Sequence, residues 1–299
     1  MTKFRINKKE FREYLKCCSM KGIIQYQDSK PIKNCLFYNF NIEVRDGKLK
    51  VLTMDPYMRG IQGKFVKKDV DILEEGFMLI SDYDLIDDCL GGKGLSDEIL
   101  VYNDQRNPTT IFIETENDLY EIRQRGKFFI DELEMSEENK AGLIEELRNW
   151  DEWHEFERTE DGKIMLFMNH PKAKVPYPMR IVVHKDSIMK CVDDTLKITK
   201  DNKTRIVSEN GILRFMKGEK NAKIKSSHEI EYLNLLDDED VIQFDEEFYN
   251  IHTIIPNMFE DIEFNIRRVK SNNVIALYIV SEDQESKIEI NVGMGSIIK

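Results

Sequence analysis

The stretch FNIEVRDGKLKVLTMDPYM, residues 40–58, holds two alternating apolar and polar runs around Asp46–Gly47. That dipeptide between strands is a strong signal for a tight hairpin. The second strand then breaks at Asp55–Pro56, because proline fixes its own φ and turns the preceding residue away from helix. The break carries Met54, Tyr57 and Met58, three soft apolar side chains at a turn where solvent is expected. Either they close a sheet corner, or they wait for something outside the chain.

The hairpin belongs to a longer pattern that occurs twice. Upstream, FRINKKEFREYLKCC (4–18) reads as a short strand followed by a helix, with Phe11, Tyr14, Leu15 and Cys18 at i, i+3, i+4 and i+7. MRIVVHKDSIMKCVDDTL (179–196) repeats this, with Ile188, Met189 and Val192 inward. TRIVSENGILRFMKG (204–218) then repeats the hairpin around Asn210–Gly211. GFMLISDYDLIDDCL (76–90) predicts a strand and a short helix facing inward through Tyr83, Ile86, Cys89 and Leu90. Its counterpart is DVIQFDEEFYNIHTIIPNMF (240–259), read as a strand and then a helix with Phe248, Ile251 and Ile255 inward. Each half closes with a strand pair, TTIFIETENDLYEIRQR (109–125) and VIALYIVSEDQESKIEINV (274–292).

Between the halves lies a different segment. SEENKAGLIEELRNWDEWHEF (136–156) predicts a helix with Ser136 as N-cap. GKIMLFMN (162–169) predicts a strand, and HPKAKVPYPM, with three prolines, an extended linker. The expected organisation is therefore residues 1–131, a connector over 132–178, and residues 179–299.

The chain has 299 residues, 41% of them hydrophobic and 33% charged, with a net charge of −12. Such a balance argues against gripping nucleic acid by overall positive charge, so the placement of Lys and Arg matters more than their number. No apolar run reaches bilayer length, and MTKFRINKKEF lacks the apolar core of a signal peptide, so the expectation is a soluble intracellular protein with no membrane partner. Five cysteines without CxxC pairing fit reduced, buried thiols.

The duplicated strand–helix–hairpin unit resembles the DNA sliding clamp of the archaeal and eukaryotic type, the proliferating cell nuclear antigen family. The likeness covers about 4–131 and 179–294, and its sharpest local match is TMDPYM (53–58), which looks like that family's Met-Asp turn. The resemblance implies an α+β fold of two clamp modules, with antiparallel sheets outside and two helices per module lining a channel. It implies a homotrimeric ring that encloses double-stranded DNA and tethers DNA polymerase and other replication and repair proteins through short peptides; whether a clamp loader opens that ring is left open by the sequence. A monomeric processivity factor of the same fold is the alternative. No cofactor is implied.

The resemblance assigns a partner-peptide pocket to Met54, Asp55, Met58, Val292 and Met294, and flexible Met side chains suit a surface that accepts many sequences. It assigns subunit edges to the strands around Leu119–Gln124 and Ala222–His228, with Tyr120 and Ile122 meeting Ala222 and Ile224 of the next copy. With its apolar stripe inward, the first helix turns Lys9, Arg12 and Lys16 to the other side, with Lys8 beside them. These four, with Lys185 and Lys190 of the third helix and Lys93, are the candidate DNA contacts. The two remaining helices are acidic, which departs from the family. INVGMGSIIK (290–299) also lacks the family's terminal Ala-Pro segment, and the connector is longer than the family's loop.

A catalytic reading finds little. LDDEDVIQFDEE (236–247) offers oxygens for a divalent cation, and Asp283, Glu285 and Lys287 echo the Glu-x-Lys of some nucleases. The five histidines show no metal-ligand spacing, and neither a phosphate-binding GxxxxGK[ST] loop nor a G-x-S-x-G elbow is present. No metal site and no catalytic residue is expected.

Overall fold

The computed structural model of the chain describes residues 1–19, 26–27, 30–31, 40–54, 61–80, 83–92, 97–104, 107–123, 136–139, 141–142, 156–160, 164–169, 172–177, 179–191, 203–209, 212–217, 226–231, 233–234, 244–249, 256, 258–269 and 274–293. The first half contains β1 (Lys3–Asn7), α1 (Lys8–Ser19), the short pair β2 (Tyr26–Gln27) and β3 (Lys30–Pro31), then β4 (Phe40–Arg45) and β5 (Lys48–Met54). It continues through β6 (Ile61–Lys67), β7 (Asp71–Glu74), β8 (Gly76–Ile80), α2 (Tyr83–Leu90), β9 (Glu98–Asp104), β10 (Asn107–Glu114) and β11 (Leu119–Arg123). The connector supplies β12 (Phe156–Arg158), β13 (Ile164–Asn169) and β14 (Lys172–Tyr177). The second half holds β15 (Met179–His184), α3 (Lys185–Cys191), β16 (Lys203–Glu209), β17 (Ile212–Lys217), β18 (Ser226–Glu231) and β19 (Leu233–Asn234). It ends with β20 (Phe244–Tyr249), β21 (Asp261–Val269), β22 (Val274–Glu282) and β23 (Ser286–Gly293).

The duplication is visible in the strand order. The first half forms a sheet ordered β11-β10-β9-β1-β7 and a run β6-β5-β4-β8; the second forms β23-β22-β21-β15-β19 and β18-β17-β16-β20. Each position in one half has its counterpart in the other. The two halves are joined edge to edge, because β23 pairs antiparallel with β6 from Ser286↔Lys67 to Val292↔Ile61, making one nine-stranded sheet.

Local chemistry explains the repeated starts. Asn7 caps α1, its Oδ1 accepting the Lys9 and Glu10 amides at 3.0 and 3.2 Å. The Lys8 amide donates to the Asp97 carbonyl at 2.8 Å, and the Lys185 amide at the start of α3 donates likewise to Glu260 at 2.7 Å. In the first hairpin Asp46 and Gly47 take φ of 51° and 72°, the mirror-image turn that the strand twist favours. The corresponding Asn210–Gly211 turn lies outside the described residues, though its flanks Glu209 and Ile212 pair as Arg45 and Lys48 do.

Alternation along each strand sends one set of side chains inward. Phe4, Ile42, Val51, Phe65, Val101 and Ile113 pack with Phe11, Tyr14, Leu15 and Cys18 of α1 and Tyr83, Ile86 and Leu90 of α2. The same buried cluster continues through Ile181, Phe264, Ile279 and Ile290 of the second half. Where α1 crosses β6 the fit is close: a Cβ on Gly63 would stand 3.1 Å from Cys18 Cα and from Thr53 Oγ1, and Thr53 hydroxyl donates to the Cys18 carbonyl. No described helix is long and apolar enough to cross a membrane.

Three sequence expectations change. Within the expected linker 170–179, residues 172–177 form a strand, β14, paired with β13. Among the described residues it pairs on that side alone, and an edge strand tolerates Pro176 because an N–H on the unpaired side is not needed. Phe156 opens β12 instead of ending the connector helix, since β13 supplies its pairing through Leu166. Ser136 does cap the start of that helix, accepting the Asn139 amide at 3.3 Å, but residues 143–155 lie outside the description. Phe248, expected on the fourth helix, sits in β20, where pairing with Thr204 of β16 overrides the local helical spacing. Ile251 and Ile255 are outside the described residues.

The connector sheet rests on the second half. Arg158 makes a bidentate pair with Glu263 at 2.9 and 3.0 Å and reaches Glu282 at 3.3 Å. Arg180 meets the same Glu263 at 2.8 Å, and the Tyr177 ring lies 5.6 Å from that of Tyr278.

Candidate nucleic-acid interface

α1 and α2 pack side by side over the sheets. Burial of Phe11, Tyr14, Leu15 and Cys18 turns Lys9, Arg12 and Lys16 outward, as the spacing anticipates. The structure then adds what spacing could not show, since each of these cations has a carboxylate. Arg12 holds Asp87 of α2 through Nε–Oδ1 at 2.8 Å and Nη2–Oδ2 at 3.4 Å. Lys9 stands 3.6 Å from Asp97, Lys16 stands 3.5 Å from Glu13, and Lys8 donates to the Gly92 carbonyl at 3.3 Å. The hydrogen bond that Arg12 donates to Asp87, with that carboxylate's charge, raises the Arg12 pKa despite partial burial. Among the other candidates, Lys185 and Lys190 lie on α3, Lys190 exposed, and Lys93 is outside the described residues.

The two halves are braced from the helix side. Lys67, 14% exposed, reaches Glu10 of α1 at 3.2 Å and Glu285 of the last turn at 3.4 Å. Tyr14 stacks on Phe65 with centroids 3.4 Å apart. Asp283 Oδ1 accepts the Glu285 and Ser286 amides at 2.9 and 2.7 Å, and Lys287 pairs with Glu289 at 2.7 Å. The residues that echoed a nuclease are thus engaged in a turn and a strand pair.

Of the pocket candidates, Met54 ends β5 opposite Gln62, and Gln62 faces Asn291 of β23; Val292 pairs with Ile61. Only β6 separates the Met54 and Val292 backbones, about 10 Å at ordinary strand spacing. Asp55, Met58 and Met294 are outside the described residues. Of the edge candidates, Tyr120 and Ile122 lie on β11, which among the described residues pairs with β10 alone. Ile122 belongs to the chain's own core and Tyr120 packs against it, whereas Leu119 is the exposed apolar residue, at 59%. The other edge candidate is β18, Ser226–Glu231, at one end of its sheet among the described residues; Ala222 and Ile224 are outside them. Asp87, Asp97 and the Arg158–Glu263 pair escaped the sequence reading because their partners are 75 residues or more away, or belong to an acidic run that looked like solvated surface.

Comparison with known proteins gives no matching family model and no matching curated protein. Solved structures do match. The chain is similar to a DNA polymerase III subunit beta from Pseudomonas aeruginosa, with TM-score 0.54, 10% identity, and coverage of 97% of this chain and 65% of that one. It is likewise similar to a DNA polymerase sliding clamp from the same organism, with TM-score 0.54, 11% identity, and coverage of 97% and 66%. The chain therefore spans about two thirds of the length of these structures. At such identity the likeness establishes the fold, which is that of a sliding clamp. Both neighbours are bacterial, so the likeness does not single out the archaeal and eukaryotic type that the sequence resembles.

Proposed function

We propose that the chain is one subunit of a DNA sliding clamp, a ring-shaped processivity factor that tethers DNA polymerase and other replication proteins to duplex DNA inside the cell. The observation that carries this reading is the way the duplicated halves join. Within the chain, β23 of one half pairs with β6 of the other. By the repeated strand order, β11 is the counterpart of β23 and β18 the counterpart of β6, and both are edges. Exposed edges invite pairing, and repeating the internal joint between copies uses both of them.

The repeat also supplies a register for that joint. Glu114 and Leu119 flank one turn as Glu282 and Lys287 flank the other, so Ile122 corresponds to Ile290. Leu49↔Lys67 corresponds to Leu213↔Ile230, so Ser226 corresponds to Gly63 and His228 to Phe65. The internal pairs Ile290↔Gly63 and Ile288↔Phe65 then become Ile122 opposite Ser226 and Tyr120 opposite His228 of the next copy. Those residues, rather than Ala222 and Ile224, take the central positions.

The described residues hold two modules of one design, with matching strand orders. If a ring holds six modules, a two-module chain closes it as a homotrimer, the arrangement of the archaeal and eukaryotic type. In that ring the α1–α2 face and α3 turn toward the DNA, and the Met54–Val292 junction offers a docking place for partner peptides. Light scattering tests the assembly: a trimeric mass supports the ring, and a monomer at micromolar concentration favours a processivity factor acting as a single copy.

A further inference from the structure

We propose that the helix face of the first module meets duplex DNA as a charge-balanced surface, on which Asp87 and Asp97 hold cations that would otherwise neutralise phosphates. The inference rests on the clamp reading, which turns this face to the DNA.

A face that binds DNA by charge presents standing cations; each phosphate it neutralises releases a counterion and steepens the loss of affinity with salt. Here α1 contributes Lys8, Lys9, Arg12 and Lys16, but it also carries Glu10 and Glu13, and α2 adds Asp84, Asp87 and Asp88. The pairing is geometric as well as numerical. Arg12 presents a two-pronged contact to Asp87, the geometry in which guanidinium best recognises an oxyanion, so its preferred phosphate-binding edge is already occupied. Lys9 is paired with Asp97 and Lys16 with Glu13 in more exposed settings. Turning Arg12 to a phosphate would leave the Asp87 carboxylate, 23% exposed, beside the polyanion. Such a face gains little from counterion release and also offers little friction, so retention on DNA depends on closure of the ring.

The test is fluorescence anisotropy with a short, open-ended labelled duplex between 50 and 200 mM salt, using the assembled full-length protein. The wild type is expected to bind weakly, with a log–log salt slope of about one or less. Asp87→Asn with Asp97→Asn should release two cations and add about 0.9 to the slope for each, so the affinity lost over this salt range grows roughly tenfold. Asp88→Asn, on an exposed position of α2, removes repulsion without touching the Arg12 pair, and should tighten binding with little change of slope. A wild-type slope of three or more, or unchanged binding in correctly assembled double and single variants, overturns the proposal. A ring retained on end-blocked DNA by variants that show no gain in affinity would refute this inference alone; loss of retention in the wild type would refute the clamp reading itself.

Discussion

The hydroxyls of Tyr14, on the first helix, and Ser286, in the last hairpin turn, share a hydrogen bond at 3.4 Å across 272 residues of sequence. The contact lies beside the β23–β6 joint, where Lys67 also bridges the two halves. Burial, more than the hydrogen bond that opposes it, pushes the Tyr14 hydroxyl up to about 12 from its ordinary 10.0. A raised tyrosine favours the folded state while neutral, so its contribution is complete below pH 10 and is lost as pH climbs toward 12. Alkaline unfolding followed by circular dichroism should begin above pH 10, and Tyr14→Phe should soften that sensitivity. Tyr14→Ala also forfeits the stack on Phe65 and should cost about 3–5 kcal/mol in denaturant unfolding.

Glu263 makes the opposite prediction at low pH. Burial alone would raise its pKa, but hydrogen bonds from Arg158, Arg180 and Asn265 outweigh burial and hold it below the ordinary 4.5. Its stabilising contribution is therefore present above pH 4.5 and lost as pH falls through the lower folded value. Arg158→Ala leaves a buried carboxylate short of its bidentate partner and should destabilise by about 3–5 kcal/mol. Hydrogen exchange should show β12 and β13 losing protection first, because Arg158 ties β12 to Glu263 and Glu282 of the second half, while β14 keeps its Tyr177–Tyr278 contact.

Much of this architecture could be read from the sequence, and the exceptions have a common cause. Asp46–Gly47, the Asn7-led helix start and the inward stripe of α1 are local signals, settled within one turn of chain. The partner of Arg12 lies 75 residues away and that of Arg158 lies 105 away, and no periodicity reports on either. Residues 172–177 looked like a linker because proline weighs heavily in local reading, yet an edge strand accommodates it. Tyr120 and Ile122 lie on β11, at the end of its sheet among the described residues, and the exposed large apolar side chain on that strand is Leu119, which alternation alone does not single out.

The joint between copies should fail when its register is disturbed. His228→Glu places a carboxylate opposite Tyr120, on the same face as Asp118 of the neighbouring copy, where it meets an apolar ring and a like charge. Light scattering should report monomers with an unchanged circular dichroism spectrum. A trimer that tolerates this change would show that the edges pair in another register.

The turn after β5 carries a binding prediction. Met54→Ala with Met58→Ala should weaken a polymerase-derived peptide in calorimetry by upward of about 2 kcal/mol, roughly thirtyfold, with little change in melting temperature. Lower melting with unchanged peptide affinity would make the turn part of the core and move the docking place elsewhere.

Encirclement itself is tested most directly by threading. The protein is mixed with a linear duplex anchored to a surface at one end, the free end is then capped by a bulky protein, and the surface is washed in high salt. The clamp account predicts that protein threaded before capping stays bound through the wash, and is released when a nuclease cuts the duplex. Equal loss from capped and uncapped DNA would contradict it.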